Sequence, residues 1–231
     1  MENKAKLNII IEDAVKVIKN PVGFYREMPK TGGFVDPLIF LIVMAVVAGL
    51  MVATLSLFGA GMAGAMAAGM GAVFMFPVFA LISSFISAAI LFVIWKLMGS
   101  DNGYETAYRC IAYASAIYPI TVLLSIIPYA GSVVGMAWGV YLMMIAGIEV
   151  HQLKKNTVYL VFGILGTLMV LGNLSGEMAA RRMTSRFEGM GEQFEQFGRQ
   201  FENNDDMTPE KAGEALGGFL KGLEKATKDS E

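Results

Sequence analysis

The sequence predicts an all-α membrane protein: five helices crossing a bilayer, an amphipathic helix ahead of them and a helical polar tail behind. Three observations predict it. Hydrophobic residues make up 55% of the 231 and charged residues only 16%, against about a quarter charged in soluble domains. Five apolar runs approach or exceed the roughly 20 residues with which a helix crosses hydrocarbon, and in lipid a helix is required because each unpaired backbone group costs several kcal/mol. The Lys, Arg, Asp and Glu residues fall before, between and after these runs, leaving the runs bare.

Residues 1–36 form the lead-in. Leu7, Ile10, Ile11, Ala14, Val15 and Ile18 share one helical face, with Lys16 and Lys19 off it, the pattern of a helix lying on the cytoplasmic leaflet. Asn20-Pro21 ends it, since the residue before a proline avoids the helical region. Ala65-Met66-Ala67 imitates a signal cleavage site. The preceding run, at about 22 residues, exceeds the 7–15 of a signal core, so it is expected to stay as a span.

The spans are expected at 37–58, 72–95, 110–127, 129–148 and 158–174, together forming a membrane domain over 37–175. Trp95-Lys96 anchors the second at an interface. Pro128-Tyr129-Ala130-Gly131 leaves room only for a tight hairpin between the third and fourth. Pro77 and Pro119 predict bends that shape the bundle. The Gly, Ala and Met-rich stretch Gly59 to Gly71 suits either a loop or an extension of two closely packed helices.

Short-loop Lys and Arg set orientation. Six precede the first span, and Lys96, Arg109, Lys154 and Lys155 fall in loops on the same side; Arg181, Arg182 and Arg186 lie on the other. This places the N-terminus in the cytoplasm and the C-terminus outside. The tail, 176–231, carries 12 acidic and 8 basic residues from Glu177 on. In it Phe187, Met190, Phe194, Phe197 and Phe201 recur at steps of three and four, the seam of a coiled coil or membrane-surface helix. The phenylalanines are the partner-binding candidates. Asn203-Asn204-Asp205-Asp206 interrupts the seam, and Thr208-Pro209 opens a further amphipathic helix.

Small residues recur every fourth position: Ala45, Gly49 and Ala53; Ala80, Ser84 and Ala88; Gly131, Gly135 and Gly139. Such stripes let helix backbones approach where lipid supplies no hydrophobic drive. They serve packing within one chain or homo-oligomerisation, and a five-helix bundle needs the former in any case.

Chemistry is sparse. Intramembrane ionisable residues mark ion or proton pathways, and none is expected in the five spans. Glu149 and His151 lie two apart, on different helical faces, without further His or Cys to complete a metal site; they read as an interfacial cap. Cys110, the single cysteine, reads as a small apolar helix residue or as a thiol mildly activated by Arg109. No nucleophile elbow, phosphate loop or paired-carboxylate pattern appears, so no enzyme and no cofactor is expected. A net charge of -2 without a basic stripe argues against nucleic acid.

The chain resembles the YIP family, named for interaction with Ypt/Rab GTPases, in its prokaryotic branch. Carrying the resemblance are Asn20-Pro21-x-x-Phe24-Tyr25 after the amphipathic lead-in, Pro37, Tyr113 with Pro119, Ile127-Pro128-x-x-Gly131, Trp138 and Gly147-x-Glu149-x-His151. It runs from about Leu7 to Ser175 and implies five helices, a cytosolic N-terminus and a scaffold or partner-binding role. The Asp-Leu-Tyr-Gly-Pro element of eukaryotic members has no counterpart, so GTPase binding is not carried over. The expected function is a non-enzymatic scaffold or adaptor contacting lipid and a protein partner. The alternative is a transporter or channel for a neutral or lipid-like solute.

Overall fold

The computed structural model describes residues 2–57, 65–127, 129–202 and 217, with 2–6, 56–57, 65–70, 72, 130, 177, 180–182 and 184–202 described by backbone alone. Every regular element among them is helical: α1 (Glu2–Lys19), α2 (Pro21–Glu27), α3 (Val35–Leu57), α4 (Ala65–Leu97), α5 (Tyr104–Ala114), a 3-10 turn (Ser115–Ile117), α6 (Tyr118–Leu124), α7 (Ala130–Glu149) and α8 (Lys155–Glu202). Five stretches are long and apolar enough to cross a membrane: Val35–Leu55, Val73–Leu97, Tyr104–Leu124, Gly131–Glu149 and Lys155–Gly176. Contacts divide the chain into residues 1–174 and 175–231. Apart from Gly217, the described part of the second unit is the C-terminal part of α8.

In the first unit α3 packs against α4, α5 against both, and α7 against α6 and α2. Along the middle of α4 small residues lie inside and large apolar ones outside, the reverse of a soluble helix. On α4, Ala80, Ser84 and Ala88 are buried, while Phe79, Ile82, Ile86, Ile90 and Val93 are exposed. Close backbone approach rewards the first set; hydrocarbon solvates the second. Ala80 and Ala88 meet Leu41, Ala45, Tyr108 and Ala112 in one cluster, and a larger one gathers around Tyr25, Phe40, Trp95, Cys110, Leu142 and Phe162.

The third span differs from its expected form. Proline lacks an amide donor and clashes with the carbonyl four residues back, so ahead of Pro119 the chain tightens into the 3-10 turn at Ser115–Ile117 and restarts with Pro119 in the first turn of α6. The span also begins earlier, because α5 starts at Tyr104 rather than near Cys110. Glu105 and Arg109 therefore fall within the candidate span, which corrects two expectations: that Arg109 is a loop residue and that the spans hold no ionisable group. α4 runs without interruption through Pro77 and begins at Ala65, so Ala65 to Gly71 is helix; residues 58–64 lie outside the described ones.

Candidate functional site

The distinctive chemistry of the first unit lies where the N-terminal segment meets α5, α7 and the turn after α4. α2 begins at Pro21, and Asn20 caps it by accepting from the Gly23 amide at 3.0 Å. Its buried face presents Phe24 and Tyr25. Phe24 meets Tyr113 edge-on at 5.1 Å between centroids, and the Tyr25 hydroxyl donates to the Cys110 carbonyl at 3.0 Å. Burial raises the Tyr25 pKa well above its usual value, so the phenol stays neutral and its donor role is constant.

Residues 29–33 are then stapled to one turn of α5. Arg109 donates through Nε to the Pro29 carbonyl at 2.7 Å and through Nη1 to the Gly33 carbonyl at 2.8 Å. The Thr106 hydroxyl donates to the Lys30 carbonyl at 2.9 Å, and the Gly33 amide to Glu105 Oε1 at 2.7 Å. Gly33 takes a positive φ of 84°, a conformation open to glycine at little cost, and this turns both of its backbone groups toward α5. Arg109 is buried. Its charge is tolerated because the planar guanidinium forks onto two carbonyl oxygens, and charge-assisted hydrogen bonds are the stronger class.

A second knot closes the same end. His151 is buried, stacked on Trp95 at 4.0 Å between ring centroids. Its Nδ1 lies 2.7 Å from Ser100 Oγ, which also accepts from the Asn102 amide at 3.2 Å. The Asn102 side-chain amide donates to the Val150 carbonyl at 2.9 Å, holding the post-α4 turn against the end of α7. Glu149 points elsewhere, to Arg26 Nε at 2.9 Å. Glu149 and His151 thus engage separate partners.

Burial, followed by the positive charges of Lys30 and Lys96, lowers the His151 pKa to about 4. The unfolded chain takes up this proton below about pH 6.5, the folded chain only near pH 4, so stability holds above 6.5 and falls as the pH drops toward 4. At about 1.4 kcal/mol per unit, the loss approaches about 3 kcal/mol. Asp13, whose carboxyl is raised mainly by burial, acts in the opposite sense. His151→Asn is therefore the control: melting in detergent at pH 7 and 4.5 is expected to show a smaller acid loss in the variant than in the native protein, and equal losses would refute the assignment.

The lead-in helix is only half used by this assembly. Ala14 and Val17 are buried, with Ile10 and Ile18 packed beside them, whereas Leu7, Ile11 and Val15 are exposed. The apolar face read from the sequence is thus split between the bundle and the outside.

The small-residue stripes face neighbours in the same chain. Ala45, Ala80 and Ala88 share a cluster, Gly49 and Ser84 are buried, and Ala53 is half-buried. On α7, a Cβ at Gly131 would overlap the Leu124 carbonyl, one at Gly135 would come 2.8 Å from Thr121 Cγ2, and one at Gly139 would sit 3.9 Å from Ile117 Cδ1. Cys110 is fully buried behind Tyr25. Phe187, Phe194, Phe197 and Phe201 fall in α8, and their side chains lie outside the described residues, as do 203–206 and the helix expected from Thr208. Among the described residues no three His, Cys, Asp or Glu side chains gather to hold a metal.

The staple was hidden in the sequence because Arg109 looks like a loop cation. Its signal is Glu105-Thr106-x-x-Arg109, three polar side chains on adjoining positions of one helical turn opposite a Gly-Gly pair.

The Yip1 domain model matches residues 15–175, so the match takes in the end of α1, α2, the staple and all but the last residue of the fifth candidate span. Neither the curated proteins nor the solved structures give a match.

Proposed function

We propose, because the chain belongs to the Yip1 domain family of integral membrane proteins, that it acts as a non-enzymatic scaffold or adaptor that binds a partner protein or organises the membrane. One observation carries this reading. The N-terminal segment is fastened to the bundle by the Arg109, Thr106 and Glu105 staple, and the fastened α1 still offers Leu7, Ile11 and Val15 along one exposed stripe. A helix face held in place by a rigid base is pre-organised for binding, because less ordering remains to oppose association.

The N-terminus is read as cytoplasmic and the C-terminus as outside, in a bacterial or archaeal cell membrane. Supporting this, Lys30 and Lys96 act on His151 together and Arg26 pairs with Glu149, so basic residues from separate parts of the chain converge at one end of the first unit, as the positive-inside rule requires of a cytoplasmic face. The tail phenylalanines Phe187, Phe194, Phe197 and Phe201 are proposed as a second partner-binding seam.

The test is cross-linking in intact cells, purification in mild detergent and identification of proteins recovered in fixed ratio. A single recurring partner is expected, reduced by Ile11→Asp or lost on removal of residues 178–231, which tells the two surfaces apart. Phe194→Ser with Phe197→Ser is expected to weaken association or tail protection from protease while leaving insertion intact. Recovery of the chain alone, or only with copies of itself, would count against an adaptor.

A further inference from the structure

A cavity of about 500 Å³ opens among α4, the α5 end with its 3-10 turn, α7 and α8, inside the roughly 300–1,000 Å³ range of ligand pockets. All four walls belong to candidate membrane spans. Leu91, Ile94 and Phe162 give it an apolar lining, and Ser83, Ser84, Ser87 and Ser115 add a band of hydroxyls. Ser83, Ser84 and Ser115 donate to the carbonyls of Ala80, Leu81 and Ala112 at 3.2, 2.7 and 2.6 Å. Ser84 and Ser115 are buried in the wall, so the lining hydroxyls with accessible surface are those of Ser83 and Ser87, with Tyr118 beside them; a serine that donates to its own helix still offers lone pairs. No Asp, Glu, Lys, Arg or His lines the cavity, so nothing compensates a phosphate, carboxylate or ammonium brought into it. Ser83, Ile90 and Met169 are exposed at its edge, on surfaces that meet hydrocarbon in a spanning helix.

We infer that this cavity binds an uncharged lipid with a free hydroxyl, of the long-chain alcohol or monoacylglycerol class. The molecule enters sideways from the bilayer, lays its chain along the apolar wall and donates its hydroxyl to the serine oxygens. The hydroxyl selects the ligand: a plain hydrocarbon leaves the acceptors unanswered, and a charged headgroup is excluded by desolvation.

The experiment uses the full chain in phosphatidylcholine liposomes with a photoactivatable diazirine analogue of hexadecanol, mapping labelled peptides by mass spectrometry. Saturable labelling is expected within residues 83–94 and 162–169, competed by hexadecanol but not by hexadecane or hexadecyl phosphate. Ser83→Ala combined with Ser87→Ala is expected to lower the preference for alcohol over hydrocarbon about fivefold, the effect of losing one hydrogen bond. Gly139→Leu, at a position whose Cβ has ordinary room beside Ile117, should remove the saturable labelling by filling the space. Should that variant fail to fold, the serine pair decides. Unsaturable labelling spread over Phe79, Ile82 and Ile86, equal competition by hexadecane, or an unchanged preference in the serine variant would each overturn the assignment.

Discussion

Replacing Arg109 with methionine is expected to cost about 3 kcal/mol or more and to free the N-terminal segment from the bundle. Methionine keeps the bulk of the side chain but leaves the Pro29 and Gly33 carbonyls, now bonded at 2.7 and 2.8 Å, without a donor. A buried polar group left unpaired costs about 1–3 kcal/mol. Arg109→Lys is expected to recover only part, since an ammonium cannot reproduce the fork that spans two carbonyls. The molecule carries its own reporter: Cys110 follows Arg109 in sequence, is fully buried and lies under Tyr25. Its labelling by a thiol reagent should be slow in the native protein, faster in Arg109→Lys and fastest in Arg109→Met. A methionine variant that melts at the native temperature and still protects Cys110 would remove the staple from the account.

The second large effect is expected at the hairpin between α6 and α7. Gly131→Ala sets a methyl group against the Leu124 carbonyl and the Ser125 amide nitrogen, both backbone. Neither moves without unwinding the end of α6, where the Ile127 amide already bonds the Leu124 carbonyl at 3.0 Å. Overpacking costs typically 1–3 kcal/mol and occasionally more, so about 3 kcal/mol is expected here. The stripe then predicts a gradient. Gly135→Ala meets the Thr121 methyl group, a side-chain tip, and should cost less; Gly139→Ala has space and should be close to neutral. Monodisperse yield and melting temperature across the three variants check it, and equal damage at Gly131 and Gly139 would overturn it.

Much of the candidate site was only partly legible. Glu149 and His151 were read as lying on different faces of one helix; they do engage separate partners, but His151 lies beyond the end of α7. That it stacks on Trp95 and bonds Ser100 was not readable, since those partners lie about fifty residues away. Arg109 was misplaced for a related reason. A cation at the edge of an apolar run looks like the edge of a span, and only carbonyls delivered by a distant loop make its burial tolerable. The lead-in helix was read as presenting one apolar face to the leaflet; that Ala14 and Val17 lie inside while Leu7, Ile11 and Val15 lie outside depends on where α5 and the 3-10 turn lie.

By itself the sequence determined the all-α class and the presence of five stretches long and apolar enough to cross a membrane. Hydrocarbon tests each residue for apolarity and each backbone group for an internal partner, and both are local properties. Tertiary structure alone decided which helix faces meet, that a buried arginine ties the N-terminal segment to α5, and that a hydroxyl-lined cavity remains among α4, α5, α7 and α8. These rest on pairings between residues far apart in the chain, where lipid gives no hydrophobic drive and the choice of partner falls to close packing and hydrogen bonds.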